Sequence, residues 1–154
     1  MSGNVAARLI DMGITLPQAV ATVANYVPFV QVGDLVHVSG QISKGPDGLI
    51  CGRLGDDMTV EQGAAAARVC ALNILAQLAA ACGGDLERVV RVVKLVGFVA
   101  SDPGFTDQPK VMNGASDLLV AVLGDAGRHA RSAVGVAALP LGVAVEIEAL
   151  VQVR

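Results

Sequence analysis

Twelve consecutive residues, Val89 to Ala100 (VVRVVKLVGFVA), constrain this chain more than any other segment. They are dominated by β-branched residues and are apolar at both parities of a strand, which predicts a central strand covered on both faces. Such a strand needs two covers. Upstream, Thr59-Val60-Glu61-Gln62 matches a capping box, in which the Thr hydroxyl and the Gln side chain satisfy free backbone donors, and predicts a helix to about Cys82. Gly83-Gly84 end it, because glycine enters the left-handed conformation easily. The helix is rich in small residues (Ala64 to Ala67, Ala79 to Ala81), so its backbone can lie close to what it covers, expected to be a sheet. Downstream, Pro109 opens a second helix in which Val111, Ala115, Leu118, Leu119 and Val122 repeat at helical spacing until Gly124.

The other strands follow from turn chemistry and alternation. Val27–Val32 and Leu35–Gln41 are two β-rich runs joined by Gly33-Asp34, the pattern of a tight hairpin with glycine at the position needing positive φ. Ser43 to Gly48 (SKGPDG) reads as a turn, and Leu49–Leu54 as a short further strand. Arg131–Leu139 and Val143–Val153 read as a closing hairpin, the second strand placing Val143, Val145, Ile147, Ala149, Val151 and Val153 on one face. Residues 1–25 show no clear period and are assigned to an N-terminal arm with one short helix, leaving 26–154 as a single domain. The expected class is therefore α+β, a mixed sheet with two helices on one face. The opposite face is apolar along its central strand and has no third long helix to cover it, so it is expected to pack against other copies of the chain.

Composition narrows function by exclusion. Hydrophobic residues make up 53% of the 154 and charged residues 16%, which excludes a disordered chain. A net charge of −3, no Trp, one Tyr and three Phe give neither a phosphate-tracking surface nor base-stacking platforms, so nucleic acid is disfavoured as a partner. Arg68, Asn73 and Gln77 interrupt the longest apolar window, and no membrane partner is expected. Cys51, Cys70 and Cys82 form no CxxC pair and suit a reducing cytoplasm as small buried hydrophobes. Neither His37 nor His129 has a second ligand at metal spacing, so both read as structural histidines and no metal or other cofactor is expected.

Chemistry concentrates at the C-terminal end. Arg131 stands at the start of its strand, and Glu146 and Glu148 lie on the face of the last strand opposite the Val/Ile row. An arginine offers a planar fork for a carboxylate, and a glutamate in a partly desolvated cleft can move protons near neutral pH. By spacing alone, these charges serve equally well as solvated decoration.

Several segments together make the chain resemble a known family. They are Tyr26, Val36-His37-Val38-Ser39-Gly40-Gln41, Asn73, Gly97-Phe98-Val99, Phe105, Asn113, Ala130-Arg131-Ser132 and Leu139 to Ala149 (LPLGVAVEIEA). In this order and spacing, over about Tyr26 to Gln152, they closely resemble the RidA/YjgF family. The extended arm and the segments RHARSAVG and NGASDLL look like a particular branch of it. The resemblance implies a chorismate-mutase-like α+β subunit, a homotrimer with sites between subunits, and hydrolysis of short-lived enamines and imines to 2-oxo acids and ammonia. It implies that Arg131 clamps the substrate carboxylate and Glu146 positions or activates water. Tyr26, Ser39, Asn113 and Ala133 match other cleft positions. Ala133 departs from the cysteine common in active members, which leaves a non-catalytic trimeric binding module for small carboxylates or a protein partner as the alternative. A ribonuclease reading, also attached to this family, meets the charge argument above.

Overall fold

In the computed structural model, residues 4–21 and 24–154 are described; residues 1–3, 22 and 23 of the expected arm lie outside the described residues. In chain order the elements are α1 (Val5–Asp11), β1 (Phe29–Val32), β2 (Leu35–Ile42), β3 (Lys44–Gly45), β4 (Gly48–Leu49), α2 (Val60–Ala81), β5 (Val89–Ala100), α3 (Gln108–Leu123), β6 (Ala130–Val136) and β7 (Val145–Val153). The fold is α+β with a mixed sheet, as the pattern of elements predicts. Gly33 takes φ 62° in the tight β1–β2 turn. Thr59 and Gln62 make both bonds of the capping box, Gln62 N to Thr59 Oγ1 at 3.2 Å and Thr59 N to Gln62 Oε1 at 2.9 Å.

The strand order is β1-β2-β7-β5-β6, and it corrects the expected closing hairpin. β6 and β7 do not pair with each other. β6 lies parallel to β5 at the sheet edge, while β7 inserts antiparallel between β2 and β5. The physical reason is α3: a helix between two strands of one sheet carries the chain back so that the second strand runs parallel to the first. The expected strand over Leu49–Leu54 is also reduced. Only Gly48–Leu49 pairs, with Lys44–Gly45, and Cys51 and Leu54 make isolated bridges.

α2 and α3 cover one face of the sheet. Ile74, Leu75 and Leu78 from α2 and Val111, Met112 and Leu119 from α3 are buried against Val36, Leu95, Val99, Ile147 and Val151. Each fully buried side chain of this size contributes about 1.5–3 kcal/mol of transfer free energy. By length and composition α2 could cross a membrane, but half of that window is buried inside the domain, as in a core helix. Its small residues serve the second helix as well as the sheet: a Cβ added at Gly114 of α3 would collide with the Ala64 carbonyl oxygen. This close approach fixes α3, and with it the residues α3 offers to β6.

The described part of the arm is fastened to the domain. Asn4 caps α1 by accepting from Ala7 N at 2.8 Å, Val5 is buried, and its N–H donates to Glu87. Gln77 of α2 donates to the Val20 carbonyl at 3.2 Å. On the other side of the sheet, β5 presents exposed Val90 and half-buried Val96 and Phe98, so within one chain only one of its faces is covered.

Candidate functional site

The six expected site residues fall into two groups on opposite faces of the sheet. Arg131 pairs with Leu95 across the parallel β5–β6 ladder, and Leu95 faces the helices. Glu146 pairs with Phe98, three residues further along β5 and therefore on the open face.

The arginine group is built on α3 and β6. Arg131 Nη1 donates to Asn113 Oδ1 at 2.9 Å and to Ser116 Oγ at 3.1 Å, and Nη2 donates to the Pro109 carbonyl at 3.4 Å. Pro109, Asn113 and Ser116 lie at i, i+4 and i+7 on one stripe of α3, which is why one side chain can reach all three. These bonds take three of the five guanidinium hydrogens. Nε and the second Nη2 hydrogen remain, with no protein partner among the described residues, enough for a bidentate carboxylate. Ala133 follows Arg131 on the same side of β6, half-buried against the core.

The glutamate group is built on a β-bulge. Val38 pairs with Ala149 and Gln41 with Ile147, so Ser39 and Gly40 together oppose the single residue Glu148. The extra residue brings the Gly40 backbone over the Glu146 carboxylate, where a Cβ would collide with Oε1. Glu146 is half-buried. Burial, and secondarily the charge of Glu148, raise its carboxyl above the ordinary glutamate value. Ser39 N donates to Pro28 O at 2.9 Å and Ser39 Oγ to Val27 O at 2.8 Å, tying the bulge to the segment just after Tyr26. Tyr26 itself is 58% exposed. A groove of about 420 Å³ lies on this face, lined by Val30, His37, Ser39, Lys94, Val96 and Glu148 among others.

Gly40, Ser116 and His129 are the residues sequence reasoning left out of the site. His129 Nε2 meets Ser116 Oγ at 2.9 Å and its Nδ1 meets the Gly127 carbonyl at 2.6 Å, a hydrogen-bonded histidine as its lack of metal-spaced neighbours suggests. The available signal was spacing: Ser116 is three residues from Asn113 on one helix, and His129 is two residues from Arg131. A second cavity, about 310 Å³, continues past Gly135 at the end of β6. Its polar groups are partnered, Arg53 with Asp102 at 3.1 Å and Gln108 with the Phe105 carbonyl at 2.8 Å. Among the described residues no three His, Cys, Asp or Glu side chains gather as a metal site. Cys70 and Cys82 are buried free thiols, and burial pushes both above the usual thiol range.

Comparison with known proteins bears on the family and the fold. Residues 6–151 match the family described as "YjgF/chorismate_mutase-like, putative endoribonuclease". Protein TCP17 of Trypanosoma cruzi is 55% identical, over 99% of this chain and 96% of its own. A protein of unknown function from Agrobacterium tumefaciens is 48% identical with a TM-score of 0.90, over 97% of this chain and 94% of its own. TdcF of E. coli, solved with bound serine, is 28% identical with a TM-score of 0.60, over 89% and 94%. By sequence match and by fold, the chain belongs to the YjgF/chorismate mutase-like family.

Proposed function

We propose that the protein is a hydrolytic deaminase of small 2-imino acids and their enamine tautomers, acting in clefts between copies of the chain assembled as a homotrimer in the cytoplasm. One observation carries the reading: an arginine braced by three acceptors and a half-buried glutamate are each built by local structure, yet they lie on opposite faces of one sheet. Two intervening strand spacings, about 10 Å, and the sheet itself separate them within a chain. A second copy that laid its open face beside the β6 edge would bring the Arg131 group of one subunit to the Glu146 group of the next.

The chemistry asks little of such a cleft. Arg131 holds the substrate carboxylate through Nε and Nη2, which fixes the imine carbon in place. An enamine first takes a proton from solvent at its β-carbon to become the protonated imine, the iminium ion. Water then adds to the imine carbon and gives its proton to Glu146, forming a carbinolamine. In the collapse Glu146 first returns that proton to the amine nitrogen, and as the C–N bond breaks and the C=O bond forms the hydroxyl proton passes to the Glu146 carboxylate, from which the released ammonia takes it. A glutamate whose pKa is raised by burial suits both directions of that transfer. Tyr26, Ser39, Asn113 and Ala133 wall or support the cleft. The bound serine of TdcF, an amino acid with a carboxylate, fits a clamp of this kind in a relative. The ribonuclease description attached to the family finds no support in a chain of net charge −3 with four aromatic residues.

The test is complementation. Arg131→Ala and Glu146→Gln should each lose nearly all activity in an assay that generates imines with an amino-acid oxidase and follows their loss. Unfolded together and refolded as mixed trimers, they should recover about one quarter of wild-type activity, since one site in four draws an intact residue from each chain. No recovery in mixed trimers of confirmed composition overturns the shared cleft. A wild-type protein that binds 2-oxo acids through Arg131 without hydrolysing imines is a binding module instead.

A further inference from the structure

Asn113 is only part of what holds Arg131. Ser116 Oγ accepts from Nη1, and behind Ser116 stands His129, whose other ring nitrogen is bonded to the Gly127 carbonyl. We propose that Ser116 and His129 are positioning residues that fix the plane of the Arg131 guanidinium and so set how tightly this protein grips a substrate carboxylate. The inference rests on the reading of Arg131 as the carboxylate clamp.

The hydrogen-bond directions follow from chemistry. The Gly127 carbonyl can only accept, so His129 Nδ1 carries the proton. In the neutral ring Nε2 is then an acceptor, and the Ser116 hydroxyl donates to it. That points the Ser116 lone pairs at Arg131 Nη1. The chain Gly127 O, His129, Ser116, Arg131 thus has one consistent direction, and it starts from backbone. Gly127 is itself packed: a Cβ there would collide with the Leu119 carbonyl oxygen of α3. Both ends of the relay are therefore pinned to the same helix.

The consequence is economy of motion. A free arginine side chain loses substantial rotamer entropy when it binds a carboxylate. Here three hydrogens are committed before any ligand arrives, and only the carboxylate-facing pair is left. Residues that act in this way alter affinity and KM for carboxylate ligands more than kcat. A merely structural role for the pair would instead lower melting temperature and the fraction of active protein together.

The probe is 2-oxobutanoate, titrated calorimetrically into the assembled protein, with imine hydrolysis measured in parallel. Ser116→Ala and His129→Leu should each weaken binding roughly tenfold, the lower end of the effect of losing a hydrogen bond to a charged group, and raise KM similarly with kcat little changed. His129→Gln should restore much of the loss, because its carboxamide oxygen can accept from Ser116. In nitrogen-15 spectra of the unliganded protein, the Arg131 Nη hydrogens should rotate slowly, and faster in both loss variants. Wild-type affinity in Ser116→Ala and His129→Leu, with Arg131→Ala still impaired, overturns the positioning role alone. A His129→Gln variant as weak as His129→Leu also overturns the relay. A wild-type protein that does not bind 2-oxobutanoate removes the clamp and the relay together.

Discussion

The two halves of the proposed site are held in opposite ways. At the β6 edge a cation is surrounded by protein acceptors, two side chains and a carbonyl, all on α3. On the open face an anion is pressed under backbone and sits two residues from a like charge on the same side of β7. The first half is finished inside one chain; the second carries an electrostatic cost that an approaching cation, proton or substrate relieves. A site assembled from such halves is rigid where it must recognise and perturbed where it must react.

The sharpest way to break this contrast is at the reacting half. Glu146→Gln keeps shape but removes proton transfer, so turnover should fall by roughly 10²–10⁴ while 2-oxobutanoate binding survives in calorimetry. Equal loss of binding would make Glu146 a recognition group and erase the division of labour. At the recognising half, Arg131→Lys keeps charge but loses the fork, and should cost about 1.5–3 kcal/mol in kcat/KM per charged hydrogen bond lost, with melting temperature held.

Two glycine substitutions sharpen the comparison further. At Gly114 the obstacle to a Cβ is the Ala64 backbone, which cannot step aside, so Gly114→Ala should destabilise the fold by about 1–3 kcal/mol in denaturant titration. At Gly40 the obstacle is the end of the Glu146 side chain, which can swing away. Gly40→Ala should therefore leave stability within about 0.5 kcal/mol and reduce turnover instead. The reverse pattern would mean that Glu146 is fixed and the helix pair is not.

A smaller effect is expected on stability against pH. Burial, then Glu148, raises the folded-state pKa of Glu146 above its unfolded value, so the folded chain holds that proton longer. Its contribution to stability is whole below the unfolded glutamate value and is lost as pH rises through the folded one. Glu146→Gln is neutral throughout, and its melting temperature should gain on wild type as pH rises above about 4, the ordinary glutamate value. A gap that narrows over that range contradicts the sign.

Replacing all three cysteines should not change turnover. Cys70 and Cys82 are buried with raised pKa values, while exposed Cys51 borders no group of either half-site, its thiol lying 3.6 Å from the Leu141 carbonyl. Loss of turnover in folded protein would place a thiol in the cleft.

What the sequence by itself determined is whatever neighbouring residues decide among themselves. The Thr59/Gln62 cap, the Gly33-Asp34 turn, the glycine stop after α2 and the limits of β5 were all legible, because caps, turns and apolar periods act over a few residues. The alternation of β7 likewise placed Glu146 and Glu148 on the face opposite the valines. Only the tertiary structure decided that β6 lies beside β5 and not β7, since strand order is set by where α3 packs, at sequence separations that no local pattern encodes. That one choice turned Arg131 toward the helices and away from Glu146. It also brought Ser116 and His129 together, 13 residues apart in sequence, and made Gly40 matter through a bulge opposite Glu148. Side-chain chemistry could be read residue by residue; which face each residue occupied depended on packing between elements far apart in the chain.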